Sequence, residues 1–133
     1  MSQENVETVT QAITAFNARD FAALESVYSE DVVLRHIGGM DALIGTEFRG
    51  RDAVLSSFRE VIDMVGGRGE VEMIREVGDQ VVVVLNAAMM GTESGVPTTL
   101  RFGQVYSFRE GHISLIDSYY SADDALKAVG LAE

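Results

Sequence analysis

Residues 98–120 read TTLRFGQVYSFREGHISLIDSYY, and the alternation in this stretch decides the fold. Leu100, Phe102, Gln104, Tyr106 and Phe108 fall on one side of an extended chain, because successive strand side chains point to opposite faces. A second strand starts at His112. The short segment Arg109-Glu110-Gly111 lies between them, so 98–108 and 112–120 form a hairpin. Two loops fit the spacing. A three-residue loop is a type I turn closed by Gly111 in the left-handed region. It pairs Phe108 with His112 and sets Gln104 against Ile116. One face then carries Phe102, Gln104, Tyr106, Ser114, Ile116, Ser118 and Tyr120. A two-residue loop, Glu110-Gly111, slips the pairing by one and sets Asp117 beside Gln104. The three-residue loop is the expectation.

Upstream of this hairpin the pattern is also extended. Segments 70–77 and 80–90 are joined by Gly78-Asp79, a two-residue hairpin signal with glycine first. The looser loop 91–97 ends in Pro97, the one proline of the chain. The first half reads differently. Val6, Val9, Ile13 and Phe16 recur at helical spacing, with Ser2 available as N-cap. Asp20 caps a short helix carrying Phe21, Leu24, Val27 and Tyr28. A strand follows over 32–37, then a loop from Gly38-Gly39 to about Thr46, then a short strand at Glu47-Phe48. A third helix after Gly50 buries Val54, Leu55, Phe58, Val61, Ile62 and Val65, and Gly66-Gly67 stops it. Ser121-Ala122-Asp123-Asp124 opens a last short helix in capping-box style, and Gly130 ends it. Helices gathered ahead of a sheet indicate one α+β domain spanning 1–133.

Three polar residues interrupt apolar strand faces. His36 ends the run Val32-Val33-Leu34-Arg35-His36-Ile37, Asn86 follows Val81-Val82-Val83-Val84-Leu85, and Gln104 breaks the stripe quoted above. A buried polar group costs a few kcal/mol unless it finds a partner. Three of them on sheet faces point to an enclosed cavity with polar points. His36 reads as a general base for removing a proton beside a carbonyl, or as a packed histidine bonded to backbone. Gln104 donates a hydrogen bond to a carbonyl or enolate oxygen, or satisfies a neighbouring strand. Asn86 has the same two readings. Phe102, Tyr106, Ile116, Ser118 and Tyr120 join these as the expected ligand-binding lining. Asp117 is the alternative acid if the hairpin slips.

Composition narrows the function classes. The net charge of −11 repels phosphate backbones and anionic membrane surfaces, so nucleic acid and membrane are not expected partners. There is no cysteine, which removes thiolate metal sites, disulfides and cysteine nucleophiles. The two histidines lack metal-ligand spacing, and no phosphate-binding loop is present, so neither metal nor cofactor is expected. No apolar run approaches the ~18–20 residues needed to span a bilayer. The start Met-Ser-Gln-Glu-Asn has no signal-peptide character, and the expected location is the cytoplasm.

Several segments carry a family likeness. They are Ala15-Phe16-Asn17-Ala18-Arg19-Asp20, Tyr28-Ser29-Glu30-Asp31-Val32-Val33 and Phe48-Arg49-Gly50-Arg51-Asp52-Ala53-Val54. Near the C-terminus come Phe108-Arg109-Glu110-Gly111-His112-Ile113, Tyr119-Tyr120 and Ala125-Leu126-Lys127-Ala128-Val129-Gly130-Leu131. In these the chain resembles the nuclear transport factor 2-like superfamily, in its SnoaL-like, polyketide cyclase and ketosteroid isomerase-like branch. The resemblance implies a cone: a curved antiparallel sheet wrapped by N-terminal helices around a deep cavity. It also sets the isomerase base position on His36 and that enzyme's protonated acid on Gln104. The oxyanion tyrosine falls near Ala12, the cyclase acid near Ser121 and the epoxide hydrolase aspartate near Ser118. The chain thus departs from each of those catalytic sets.

The resulting expectation is a small-molecule pocket protein. It is a cofactor-independent isomerase, cyclase or hydrolase on a small apolar carbonyl-bearing ligand, or a binding or dimerisation module of the same fold. A homodimer through the outer sheet face is also expected. Val105, Ile113, Leu115 and Tyr119 on that face form an apolar patch that a two-fold contact would bury.

Overall fold

The computed structural model describes residues 2–37, 47–66, 68–90 and 97–131; the loops read at 38–46 and 91–96 lie outside them. The chain runs α1 (Ser2–Ala18), α2 (Phe21–Val27), β1 (Tyr28–Ile37), β2 (Glu47–Arg49) and α3 (Arg51–Val65). It continues with β3 (Arg68–Val77), β4 (Gln80–Met90), β5 (Pro97–Arg109), β6 (His112–Tyr119) and α4 (Ala122–Ala128). Helix α1 ends where Arg19 takes a left-handed φ of 59° and its N–H bonds to the Phe16 carbonyl. Asp20 then caps α2 by accepting from the Ala23 N–H. Gly66, at φ 78°, closes α3 by donating to the Ile62 carbonyl. Ser121 precedes α4 in extended conformation, but its side chain makes no capping hydrogen bond.

The six strands form one curved, unclosed sheet in the order β2-β1-β6-β5-β4-β3. The expectation of an antiparallel sheet needs one correction: β1 and β6 pair in parallel. The connection between them passes through α3 and four further strands. A connection of that length permits the parallel return that a short turn forbids.

The hairpin register departs from expectation in two steps. Glu110 (φ 52°) and Gly111 (φ 81°) are both left-handed, and Arg109 pairs with His112. The loop is therefore a two-residue, type I′ turn rather than the three-residue turn expected. Alone, that would have set Asp117 beside Gln104. A bulge at Ser114 adds one residue to β6, so that Phe108 pairs with Ile113 but Ser107 pairs with Leu115. Two offsets of one residue restore the parity. Gln104 lies opposite Ser118, Tyr106 opposite Ile116, and Val105 opposite Asp117.

The inner sheet face packs under α1 and α3. Val81, Val83, Leu85, Leu34, Tyr106 and Ile116 join Val9, Ala12, Leu24 and Val54 in the main core. Each fully buried aliphatic side chain contributes about 1.5–3 kcal/mol over leaving it exposed. The outer face has a smaller core, in which Ala125 of α4 lies on Val82 and Val105 with Tyr119 and Leu126 alongside. This covers part of the patch on which the expected dimer rested. Val105 and Tyr119 are covered by the chain's own last helix. Ile113 is turned inward by the two-residue turn, which sets it opposite Phe108, and is fully buried in the main core. Leu115 and Tyr119 are left half-buried.

Candidate functional site

A cavity of about 140 Å³ lies between the inner sheet face and helices α1 and α3. The helices supply Ala12, Ile13, Phe16 and Asn17 on one side, with Ser57, Phe58 and Val61 on the other. The sheet supplies Leu34 and His36 from β1, Leu85 and Ala87 from β4, Leu100, Phe102, Gln104 and Tyr106 from β5, and Ser118 from β6. Among the described residues that line it, none is an aspartate or glutamate.

The sheet also brings Tyr28 of β1 and Arg68 of β3 to the cavity, and four of its polar groups fall together across β5, β6 and β1. Tyr106 on β5 donates its hydroxyl hydrogen to Gln104 Oε1. Gln104 Nε2 donates to Ser118 Oγ on β6 at 3.4 Å. Ser118 is the register partner of His36 on β1. With its carbonyl oxygen engaged by Tyr106, the Gln104 amide turns its N–H groups toward Ser118 and the cavity. Burial pushes the Tyr106 phenol well above its ordinary range, so it stays a neutral donor. Tyr28, buried beside it, is pushed up by burial and then by the neighbouring Tyr106. His36 is 8% exposed, and its ring meets Phe48 edge to face at 6.1 Å between centroids.

Of the site residues read from sequence, His36, Gln104, Phe102, Tyr106 and Ser118 line this one cavity. Three expected residues do not line it. Ile116 lies on the same face but is 1% exposed within the main core. Tyr120 follows the last residue of β6 and is 50% exposed. Asn86 is on the outer face, where its Nδ2 donates to Glu72 Oε1 at 3.0 Å. Its cavity-facing neighbours are Leu85 and Ala87. Asp117 is also outside, holding Arg35 in a bidentate pair at 2.6 and 2.8 Å. That hydrogen-bonded carboxylate pushes the Arg35 pKa up.

Arg101 also donates to Glu72, from Nη2 to Oε2 at 2.8 Å. Hydrogen bonds from Arg101 and then Asn86 lower the Glu72 carboxyl to about 2. Titration by carboxyl NMR should show that midpoint. In Arg101→Ala it should climb toward the ordinary 4.5.

Sequence reading missed the helix-borne lining. Asn17 clasps the start of β3, donating from Nδ2 to the Gly69 carbonyl at 2.8 Å and accepting from the Gly69 N–H at 2.9 Å. Ser57 is buried, and its hydroxyl donates to the Val54 carbonyl. Phe58 stands between Phe16, edge-on at 5.5 Å, and Tyr28 at 6.2 Å. The apolar spacing of α1 and α3 marked these faces as buried. What they face depends on how the helices dock.

A curved sheet with helices across one face and a polar line inside defines a nuclear transport factor 2-like cone. The chain belongs to the SnoaL-like domain family, whose model matches residues 9–116. No curated protein matches it in sequence. An NTF2-like protein of unknown function from Burkholderia pseudomallei is 24% identical at a TM-score of 0.80, over 98% of this chain and 99% of that one. An LEH-like epoxide hydrolase from Mycobacterium tuberculosis is 19% identical at a TM-score of 0.74, covering 96% and 90%. A second M. tuberculosis protein, solved in complex with estradiol-17β-hemisuccinate, is 18% identical at 0.75, covering 89% and 93%. No helix among the described residues is long and apolar enough to cross a membrane.

Proposed function

We propose that this protein takes a small apolar ligand bearing a carbonyl into the cavity and moves a proton at the carbon beside that carbonyl, without a cofactor. The observation that carries this reading is the convergence of His36, Ser118, Gln104 and Tyr106 on one stretch of a largely apolar cavity wall, with Tyr28 and Arg68 as further polar lining. The apolar body of the ligand packs on Phe102, Leu34 and the helices. Its oxygen meets the Gln104 amide and the Ser118 hydroxyl. His36 takes the proton, and the charge that develops on oxygen is stabilised by fixed donors in a largely apolar site. Tyr106 is a positioning residue, acting through the amide it orients. Isomerisation and carbon–carbon ring closure both begin from such a proton removal. The steroid ester held by a structure of the same fold supports reading the cavity as a small-molecule site.

The second reading is a binding module without chemistry. It is favoured by the lack of any carboxylate among the described lining residues and by Ala12, which offers no donor. Deuterium exchange separates the two. In D2O, the protein should speed incorporation beside the carbonyl of cyclohexenone, with a rate that saturates in ketone. Tyr106→Phe should slow that exchange several-fold while ketone binding persists. Binding with no acceleration of exchange would leave the second reading.

A further inference from the structure

We propose that the cavity accepts a single-ring ligand and that Phe58 sets this limit; the inference rests on the pocket reading above. The volume is about 140 Å³. An apolar cavity of about 150 Å³ holds one benzene, whereas pockets for drug-sized ligands run to about 300–1,000 Å³. One ring with a carbonyl and short substituents matches the first figure.

The limit is built into the helix wall. Phe58 projects from α3 onto the cavity, opposite the polar line of the sheet. It is held on two sides, by the edge contact with Phe16 at 89° and the tilted contact with Tyr28 at 54°. Phe16 is itself held, with the Arg19 guanidinium 5.5 Å from its ring centre. Arg19 in turn donates to the Phe16 and Gly66 carbonyls. Phe58 therefore cannot swing aside without breaking both ring contacts. The facing sheet wall is tied by its backbone ladder and has no such freedom. A second fused ring exceeds the volume of about 140 Å³ left beside the Phe58 ring.

Affinities for cyclohexenone, with one ring, and tetralone, with two, test this by NMR shift titration. A pocket without the limit binds tetralone tighter, because tetralone buries more apolar surface. The expected result for the wild type is the reverse order, by tenfold or more. Phe58→Ala should invert that order. Phe58→Leu, which keeps an apolar side chain at the site, should narrow the gap severalfold and decides the matter if the alanine variant does not fold. Tetralone binding as tightly as cyclohexenone to the wild type overturns the size limit and leaves the pocket reading standing. An unchanged order in every folded variant removes Phe58 from the role. Failure of both ketones to bind overturns the pocket reading and this inference together.

Discussion

Gly103→Val should loosen the C-terminal helix from the sheet and lower the melting temperature by roughly 10 °C, on the usual scaling of a few degrees per kcal/mol. A Cβ added at Gly103 would lie 2.4 Å from the Ala125 Cβ, 3.4 Å from the Ala122 Cα and 3.5 Å from the Val83 carbonyl oxygen. The clash is the one with the Ala125 Cβ, since real carbon atoms do not approach to 2.4 Å and a Cβ is fixed to its own backbone; the other two are ordinary contacts. The helix must lift. Overpacking of this kind costs about 1–3 kcal/mol in itself. Lifting α4 also exposes Val82 and Val105, which are 0% and 3% exposed beneath it. Thermal unfolding followed by circular dichroism reads the loss. A compensating pair isolates its cause: Gly103→Ala alone should destabilise, and adding Ala125→Gly should restore much of the stability. If Gly103→Ala melts with the wild type, the helix is not seated as described.

The same outer face shows where sequence reading reached its limit. In β5 the alternation is one-sided enough to read, because Phe102, Gln104 and Tyr106 alternate with the small Gly103 and with Val105. In β4 the run Val81–Leu85 is apolar at every position, since α4 covers one face and the main core the other. A continuous apolar run carries no face information, and Asn86 at its end had equal claim to either side. It fell outward, to Glu72 and Arg101. Ser114 gave no sign of a bulge either, because serine suits a regular strand as well as an irregular one. Gln104 and Ser118 reached the cavity as expected, by a different route: the shorter loop and the bulge cancelled in parity. The parallel β1–β6 pairing brought His36 beside Ser118. It joins strands about eighty residues apart, a separation over which local patterns say nothing about pairing.

His36→Gln should cut ketone exchange by about 10²–10⁴-fold while leaving ligand affinity within a few-fold, since general-base catalysis contributes on that order. Glutamine keeps a polar, hydrogen-bonding side chain at a position only 8% exposed, so the wall is not left with a hole. It cannot accept a proton at working pH. Loss of rate without loss of binding therefore reports proton transfer and not pocket shape. Among the described lining residues no carboxylate stands ready to replace the imidazole, so the loss should not be rescued by a neighbour. Retention of full exchange by a folded His36→Gln protein would remove His36 from the mechanism. Catalysis, if still present, would then rest on the Tyr106–Gln104–Ser118 line alone, whose members donate hydrogen bonds but are poor bases near neutral pH.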